Sequence, residues 1–296
     1  VTVRVGVDVG GTKAFAVRLD DHGSIVARER CDTPQGADAI WTAITELVEA
    51  LDASGEARVG IGLPGLVDPS GRLRHAPNLP GVVGVDAKAE LHARLCRQVI
   101  LDNDATCAAI AEWRHGAGRG VDDLVMVTLG TGIGGGILAG GRILRGAHGT
   151  AGEIGHMVVE IEGRRCGCGR RGCWERYASG SALADHARVI TGTAASGPEV
   201  IEAARRGEGW ASEVLEVFID WVGRGLASLT NVVDPARFVI GGGLVTAGDL
   251  FLDGCRDALA RHLYASEHRD LPEIVLAELG PEAGALGAAL LGDLTS

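Results

Sequence analysis

The sequence has no long apolar run and no long basic run, and its first residues do not read as a secretory leader; each absence narrows what is expected of the protein. Nothing in it approaches the roughly 18 consecutive apolar residues a membrane helix needs, so no membrane partner is expected. Residues 1–11 carry Arg4 and Asp8 and run straight into a glycine turn, unlike the apolar core of a leader, which points to a cytoplasmic protein. Lys and Arg are interspersed with acids at a formal net charge of -11. The phosphate-neutralising face of a nucleic-acid binder is therefore missing, and no nucleic-acid partner is expected. A nucleotide remains possible, because backbone N–H groups at helix starts and glycine loops hold phosphates without a basic surface. The Walker A pattern is absent as well. The seven cysteines are an odd number and three of them fall within residues 166–173, which suits a reduced metal site better than a disulfide framework.

What is present is a globular chain of 296 residues, 46% apolar and 23% charged, long enough for two domains. Its 46 glycines cluster between apolar runs, as turn and loop glycines do. Residues 3–9, 13–19 and 24–30 read as strands, joined by a Gly10-Gly11 turn and an Asp20-Asp21-His22-Gly23 hairpin turn. A helix is expected over 37–51, a strand over 58–63, a helix over 85–95, a short strand over 99–101 and a helix over 104–117. From residue 121 the opening pattern returns, with strands at 123–129, 135–139 and 142–144 around a second glycine turn. Beyond it, helices are expected over 175–191, 210–233, 248–263 and 284–291, with strands at 238–240 and 274–279. Two strand–turn–strand–turn–strand units, each followed by helices, imply two related α/β lobes with a cleft between them.

Three glycine loops stand at strand ends. Asp8-Val9-Gly10-Gly11-Thr12-Lys13 brings together a carboxylate, two glycines, a hydroxyl and an ammonium. Such a loop can admit a phosphate while Asp8 orients hydrated Mg²⁺, or it can be a plain hairpin turn. The second loop runs from Leu129 to Gly136 and contains Thr131 and Gly132. Gly130, Gly132 and Gly135 match the dinucleotide fingerprint, but that fingerprint must open a helix, and a strand is expected to follow here. The third, Gly241-Gly242-Gly243, suits an adenine or ribose face or a simple turn.

His156, Cys166, Cys168 and Cys173 are spaced H-x₉-C-x-C-x₄-C, with Gly167, Gly169 and Gly172 between the thiols. Three thiolates and an imidazole suit a closed, tetrahedral, structural Zn²⁺ site. The alternative is reduced free thiols in a glycine-rich loop. Cys31, Cys96, Cys107 and Cys255 are scattered and read as small core hydrophobes.

With these residues in hand, the chain resembles the ROK family of repressors, open reading frames and kinases, within the sugar kinase/actin-like superfamily. The resemblance runs over nearly the whole chain. It rests on Asp8 to Lys13, Leu63-Pro64-Gly65, Asn78-Leu79-Pro80-Gly81, Asp102-Asn103-Asp104-Ala105, Leu129 to Gly136, Gly152 to His156, Cys166 to Glu175 and Ile240 to Gly243. It implies an α/β, two-lobed actin-like ATPase (ribonuclease H-like) fold with a zinc-binding loop at 156–173. A small lobe over 1–105, completed by the segment 284–296, and a large lobe over 106–283 are expected. It implies ATP-dependent, Mg²⁺-assisted phosphorylation of a hexose or amino sugar, with glucose first because residues 173–180 look most like those of bacterial glucokinases. Asp104 resembles the catalytic base, and Asn103, Glu153, His156 and Glu175 the sugar-hydroxyl ligands, with Gly65 and Asn78 lining the pocket. One nitrogen of His156 would face zinc and the other the sugar. Asp8, Gly10, Gly11, Thr12, Lys13, Thr131, Gly132, Gly242 and Gly243 would serve the nucleotide. Val82 departs from the pattern, standing where many members carry Trp. The family implies a homodimer or homotetramer.

Three other readings follow. One is a kinase for N-acetylglucosamine, N-acetylmannosamine or mannose. Another is a sugar-responsive ROK repressor, disfavoured because the first glycine loop begins at Asp8 and leaves no room for a winged-helix segment before it. The last is a dinucleotide-dependent oxidoreductase, which needs a helix after Gly136.

Overall fold

The computed structural model describes residues 3–79 and 81–294. Pro80 of the Asn78–Gly81 motif and the last two residues of the 284–296 segment lie outside the described residues. In chain order the elements are β1 (Arg4–Val9), β2 (Lys13–Leu19), β3 (Ile25–Asp32), α1 (Ala37–Leu51), β4 (Arg58–Leu63), β5 (Leu66–Val67), β6 (Leu73–His75), α2 (Ala87–Leu95), β7 (Val99–Asn103) and α3 (Asp104–His115). There follow β8 (Leu124–Leu129), β9 (Ile133–Ala139), β10 (Arg142–Ile143), α4 (Glu175–Ala178), α5 (Gly180–Thr191), α6 (Gly197–Arg205), α7 (Gly209–Val233), β11 (Arg237–Gly241), α8 (Gly248–His262), β12 (Glu273–Leu276) and α9 (Ala283–Leu290).

Two five-stranded sheets have matching order, β3-β2-β1-β4-β7 and β10-β9-β8-β11-β12. In each, the central strand pairs antiparallel with the strand after its glycine turn (β1 with β2, β8 with β9) and parallel with a later one (β1 with β4, β8 with β11). The repeat legible in the sequence is thus a repeat of topology. β9 is a strand directly after the Gly130–Gly132 turn, so the fingerprint match there opens no helix.

The chain forms two compact units. The first comprises residues up to Arg119, Ile143–Gly152 and residues from Glu278 onward; the second comprises Gly120–Arg142 and Glu153–Ala277. The chain therefore divides at other points than the expected 105/106 and 283/284. The whole of α3 stays with the first unit because it packs on α9.

In the first unit the apolar residues of β1 and β4 meet one face of α1, where Ile40, Trp41, Ile44, Leu47, Val48 and Leu51 recur at helical spacing and are buried. The opposite face takes α9, whose eight residues, AGALGAAL, are all buried. Backbone approach is close here. A Cβ on Gly60 of β4 would collide with the Ala288 carbonyl, and one on Gly287 with the Cys107 carbonyl of α3. This seating of α9 between sheet and α3 brings the end of β1 and the start of α3 together. In the second unit, α7 and α8 pack on the sheet through Phe218, Val222, Leu226, Phe251 and Leu259.

Strands β5 and β6 are not among the elements expected from the sequence, and three further differences have a local physical reason. The 175–191 helix breaks at Ser179, which is extended (φ -105, ψ 172) and caps α5 by accepting from Ala182 N. The 274–279 strand stops at Leu276, because the N–H groups of Glu278 and Leu279 turn to the buried carboxylate of Glu112. Helix α6, unassigned from the sequence, opens with a Ser196/Glu199 capping box and a proline in its first turn, a signal that S-x-x-E can supply.

Candidate functional site

In the first unit, β1 ends on Asp8 and Val9, and Gly10 N–H closes the turn onto the Lys13 carbonyl at 2.9 Å. Thr33 braces this turn: its hydroxyl donates to the Gly10 carbonyl at 2.7 Å and its N–H to the Thr12 carbonyl at 2.9 Å. Gly11, Thr12 and Lys13 are exposed. Gly11 has no positive φ, and a Cβ there would meet only Asn78 at ordinary contact distance, 3.5 Å. Neither turn geometry nor packing demands glycine at residue 11, so a close approach by something outside the chain is the remaining physical use for it.

α3 begins where β7 ends. Asn103, not Asp104, is its cap: Asn103 Oδ1 accepts from Thr106 N at 3.0 Å, and Nδ2 donates to the Gly65 carbonyl at 3.2 Å. Asp104 Oδ1 accepts from the Ala105 N–H at 2.8 Å. Burial pushes the Asp104 carboxyl above its ordinary value, against the hydrogen bonds that favour its charged form. Asp8 stands close by. Asp8 Oδ1 and Asp104 Cα lie 3.5 and 3.4 Å from the point where a Cβ on Gly62 would stand. Burial, and then the Asp104 charge, push the Asp8 carboxyl up to about 7. Asp8 Oδ1 is buried without a hydrogen-bond partner. Asp102 turns the other way and is held by Arg145, through Nε at 2.9 Å and Nη2 at 2.8 Å. Nothing in the sequence pattern singled out Arg145, which is far from Asp102 along the chain. The first unit thus gathers Asp8, Gly10 to Lys13, Gly65, Asn78, Asn103 and Asp104. Val82 is fully buried in the core and belongs to packing.

The second unit gathers the rest. Gly130 N–H donates to the Gly132 carbonyl at 3.0 Å, closing a turn with Thr131 exposed at its tip. This turn is tied down by Gly180 N–H, which donates to the Gly130 carbonyl at 2.8 Å. A Cβ on Gly132 would stand 2.5 Å from Glu175 Oε2, so loop and carboxylate are in contact. Gly242, at φ 84, lies against the Leu129 backbone, which sets the third loop beside the second. Glu153 begins the single helical turn Ile154–His156, which seats on Ile133 through Gly155.

His156, Cys166, Cys168 and Cys173 place their ligand atoms within 4.8 Å of one another. Cys168 Sγ is 3.6 Å from Cys173 Sγ, and Cys166 Sγ is 3.8 Å from His156 Nδ1. Zn–S bonds of about 2.3 Å in a tetrahedron put sulfurs about 3.8 Å apart, so the donor set fits zinc in type and in spacing. Burial pushes the Cys166 and Cys173 thiols up, a penalty on thiolate that a cation would relieve. Glu175 Oε1 borders this cluster, accepting from Cys166 Sγ at 2.8 Å and lying 3.8 Å from His156 Nδ1.

Among the described residues no helix is long and apolar enough to cross a membrane.

Comparison with known proteins gives one family. Residues 4–293 match the ROK family. The glucokinase of Streptomyces coelicolor is 38% identical over 304 residues, covering 96% of each chain. The glucokinase of Thermotoga maritima is 34% identical, covering 96% of this chain and 95% of its own. The crystal structure of a ROK family glucokinase from Streptomyces griseus, in complex with glucose and AMPPNP, superposes with a TM-score of 0.85 at 38% identity, covering 98% of each chain.

Proposed function

The chain belongs to the ROK family of sugar kinases, with their two-sheet, actin-like fold, and we propose that it is an ATP-dependent hexose kinase that phosphorylates glucose on its 6-hydroxyl. The observation that carries the mechanism is that Asn103 caps α3, which leaves the Asp104 carboxylate for chemistry. A half-buried carboxyl with a raised pKa is a better proton acceptor at neutral pH than an ordinary aspartate.

Phosphoryl transfer needs positioning and charge neutralisation more than covalent help. ATP supplies the γ-phosphoryl group, and a bound Mg²⁺ would supply charge neutralisation for it. Asp104 takes the proton of the 6-hydroxyl as that oxygen bonds to the γ-phosphorus and the bond to the leaving β-phosphate oxygen breaks. Asn103, Glu153, His156 and Glu175 bind the remaining hydroxyls, with Gly65 and Asn78 at the pocket wall, and so fix the attacking oxygen. Gly10, Gly11, Thr12, Lys13, Thr131 and Gly132 receive phosphates, and Asp8 would help to hold Mg²⁺. Gly242 and Gly243 lie against the nucleoside. His156 Nδ1 and the thiolates of Cys166, Cys168 and Cys173 would hold zinc, which would fix the imidazole whose Nε2 faces the sugar. A homodimer or homotetramer and a cytoplasmic location belong to the same reading; light scattering tests the first.

The test is ADP release with ATP and Mg²⁺ against a panel of hexoses and N-acetyl hexosamines. Turnover with glucose at the highest kcat/KM is expected. Turnover confined to acetylated sugars would replace glucokinase by an N-acetyl hexosamine kinase, and no turnover on any sugar would end the kinase reading.

A further inference from the structure

The turn that carries Glu175 ends with open backbone acceptors. α4 is one turn long and the chain is extended at Ser179. Gly180 N–H, which would continue the helix onto the Arg176 carbonyl, goes to the Gly130 carbonyl instead. Two side chains fill the gap. Arg164 Nη1 donates to the Arg176 carbonyl at 3.0 Å, and His186 Nε2 to the Tyr177 carbonyl at 2.8 Å. The two also meet: Arg164 Nη2 donates to His186 Nδ1 at 3.2 Å. A guanidinium only donates, so Nδ1 accepts and Nε2 carries the hydrogen; the partners fix the neutral tautomer. Arg164 is bound to the same turn twice more. Its N–H donates to the Tyr177 hydroxyl at 2.7 Å, and its guanidinium lies 5.0 Å from the Tyr177 ring centroid.

His186 is 3% exposed on α5, and the circuit has no place for a second proton. A proton on Nδ1 would turn an acceptor into a donor facing a guanidinium. The charged groups around it are Arg164 from the metal-binding loop, its neighbour Asp185, and Arg176 of α4, which pairs with Asp185 at 2.6 Å. Burial first, and then the Arg164 charge, hold His186 below the ordinary histidine value, against the Tyr177 carbonyl and Asp185.

We propose that neutral His186 is a positioning residue for sugar binding: with Arg164 it ties the turn bearing Glu175 to the metal-binding loop, and a proton on its Nδ1 releases that tie. The inference rests on Glu175 being a sugar ligand.

The experiment measures sugar KM and kcat between about pH 5 and 8, spanning the ordinary histidine value, on zinc-replete full-length protein, for wild type, H186Q, H186L and E175Q, with zinc content as a control. Glutamine can donate and accept as the neutral imidazole does, whereas leucine can do neither. H186L is expected to raise sugar KM about tenfold, with one zinc retained and kcat little changed. H186Q is expected to restore the wild-type KM at neutral pH and to abolish the rise in KM that wild type shows as the pH falls. A wild-type KM in H186L overturns the proposal, as does an acidic rise in KM that persists in H186Q, or a KM in H186Q as high as in H186L. Should H186L not fold, the wild-type and H186Q pH profiles decide alone. An unchanged KM in E175Q overturns the sugar-ligand role of Glu175 and this proposal with it; a raised KM in E175Q beside an insensitive H186L overturns His186 only.

Discussion

The indole of Trp174 fills the space that a side chain at residue 225 would need. A Cβ on Gly225 of α7 would collide with its six-membered ring, and the indole N–H donates to the Trp221 carbonyl of the same helix at 2.7 Å. Trp174 is fully buried and stands between Cys173 and Glu175, so α7 anchors the metal-binding loop and the proposed sugar carboxylate through one ring. Gly225→Ala is expected to overpack this contact and cost about 1–3 kcal/mol. The loss reads as a lower melting temperature, accompanied by a raised sugar KM. A variant with unchanged stability would show that the ring has room to move.

Asp104→Asn keeps the shape of the side chain and removes the proton acceptor. Turnover is expected to fall by about 10²–10⁴-fold, while glucose binding measured by calorimetry stays within a few-fold of wild type. Asn103 still caps α3, so melting temperature should change little. Near-normal kcat would remove Asp104 as the base.

Asp8 links activity and stability to pH in opposite directions. Its carboxyl rises from 3.8 to about 7 in the folded protein, so between those values the folded state holds a proton that the unfolded chain has released. Raising the pH through that window therefore lowers stability. Asp8→Asn should remove this slope and stabilise the ligand-free protein at pH 8 by roughly 2–4 kcal/mol, while Mg²⁺-ATP binding is lost. Activity runs the other way, because Mg²⁺ orientation needs the carboxylate: kcat/KM should fall as pH drops below about 7. Equal pH slopes of stability in wild type and D8N would refute the assignment.

Much of this was legible because it is local or repeated. The strand–glycine turn–strand pattern after Val3 and again after Val121 encodes the two sheets, since alternating burial and turn glycines are read within a few residues. The Asp102-Asn103-Asp104 triplet marked a capped helix start, and the spacing of His156, Cys166, Cys168 and Cys173 marked a tetrahedral donor set that the structure brings together. What stayed hidden is set by partners distant in sequence. The break at Ser179 follows from Gly180 bonding to Gly130, and the early end of β12 from a carboxylate on α3. Arg145 on Asp102, and Arg164 and His186 beneath α4, are pairings between residues whose sequence neighbourhoods carry no mark of them.

Glu112 is the clearest of these distant partners. Fully buried on α3, its carboxylate accepts from the N–H groups of Ala117, Glu278 and Leu279, at 2.9 Å for Ala117 and 2.9 Å for Leu279. These segments adjoin the points where the chain leaves the first unit at Arg119 and re-enters it at Glu278. Glu112→Ala removes the carboxylate that these part-buried N–H groups share, and a loss of about 1–3 kcal/mol is expected, read from denaturant unfolding. Glu112→Gln, which keeps one acceptor oxygen, should recover part of it. An alanine variant as stable as wild type would mean that water satisfies these groups.

The metal-binding loop gives the last test. Cys166 Sγ touches Glu175 Oε1, and His156 Nδ1 faces both, so the donors that suit zinc and the groups proposed to hold the sugar share atoms' reach. Without a cation, burial disfavours the Cys166 and Cys173 thiolates. Elemental analysis of the purified protein should find about one zinc per chain. Cys173→Ser should lose that zinc and lower the melting temperature. Because the imidazole is then no longer fixed, sugar KM should rise about tenfold or more, with nucleotide KM changing much less. Thiol titration supplies an independent reading: Cys168, the exposed member of the set, should react slowly in the native protein and quickly after chelation. A zinc-free protein with full activity and a readily modified Cys168 would reduce the loop to free thiols. A parallel rise in both KM values would instead show that the metal supports the second unit as a whole, and not the sugar ligands in particular.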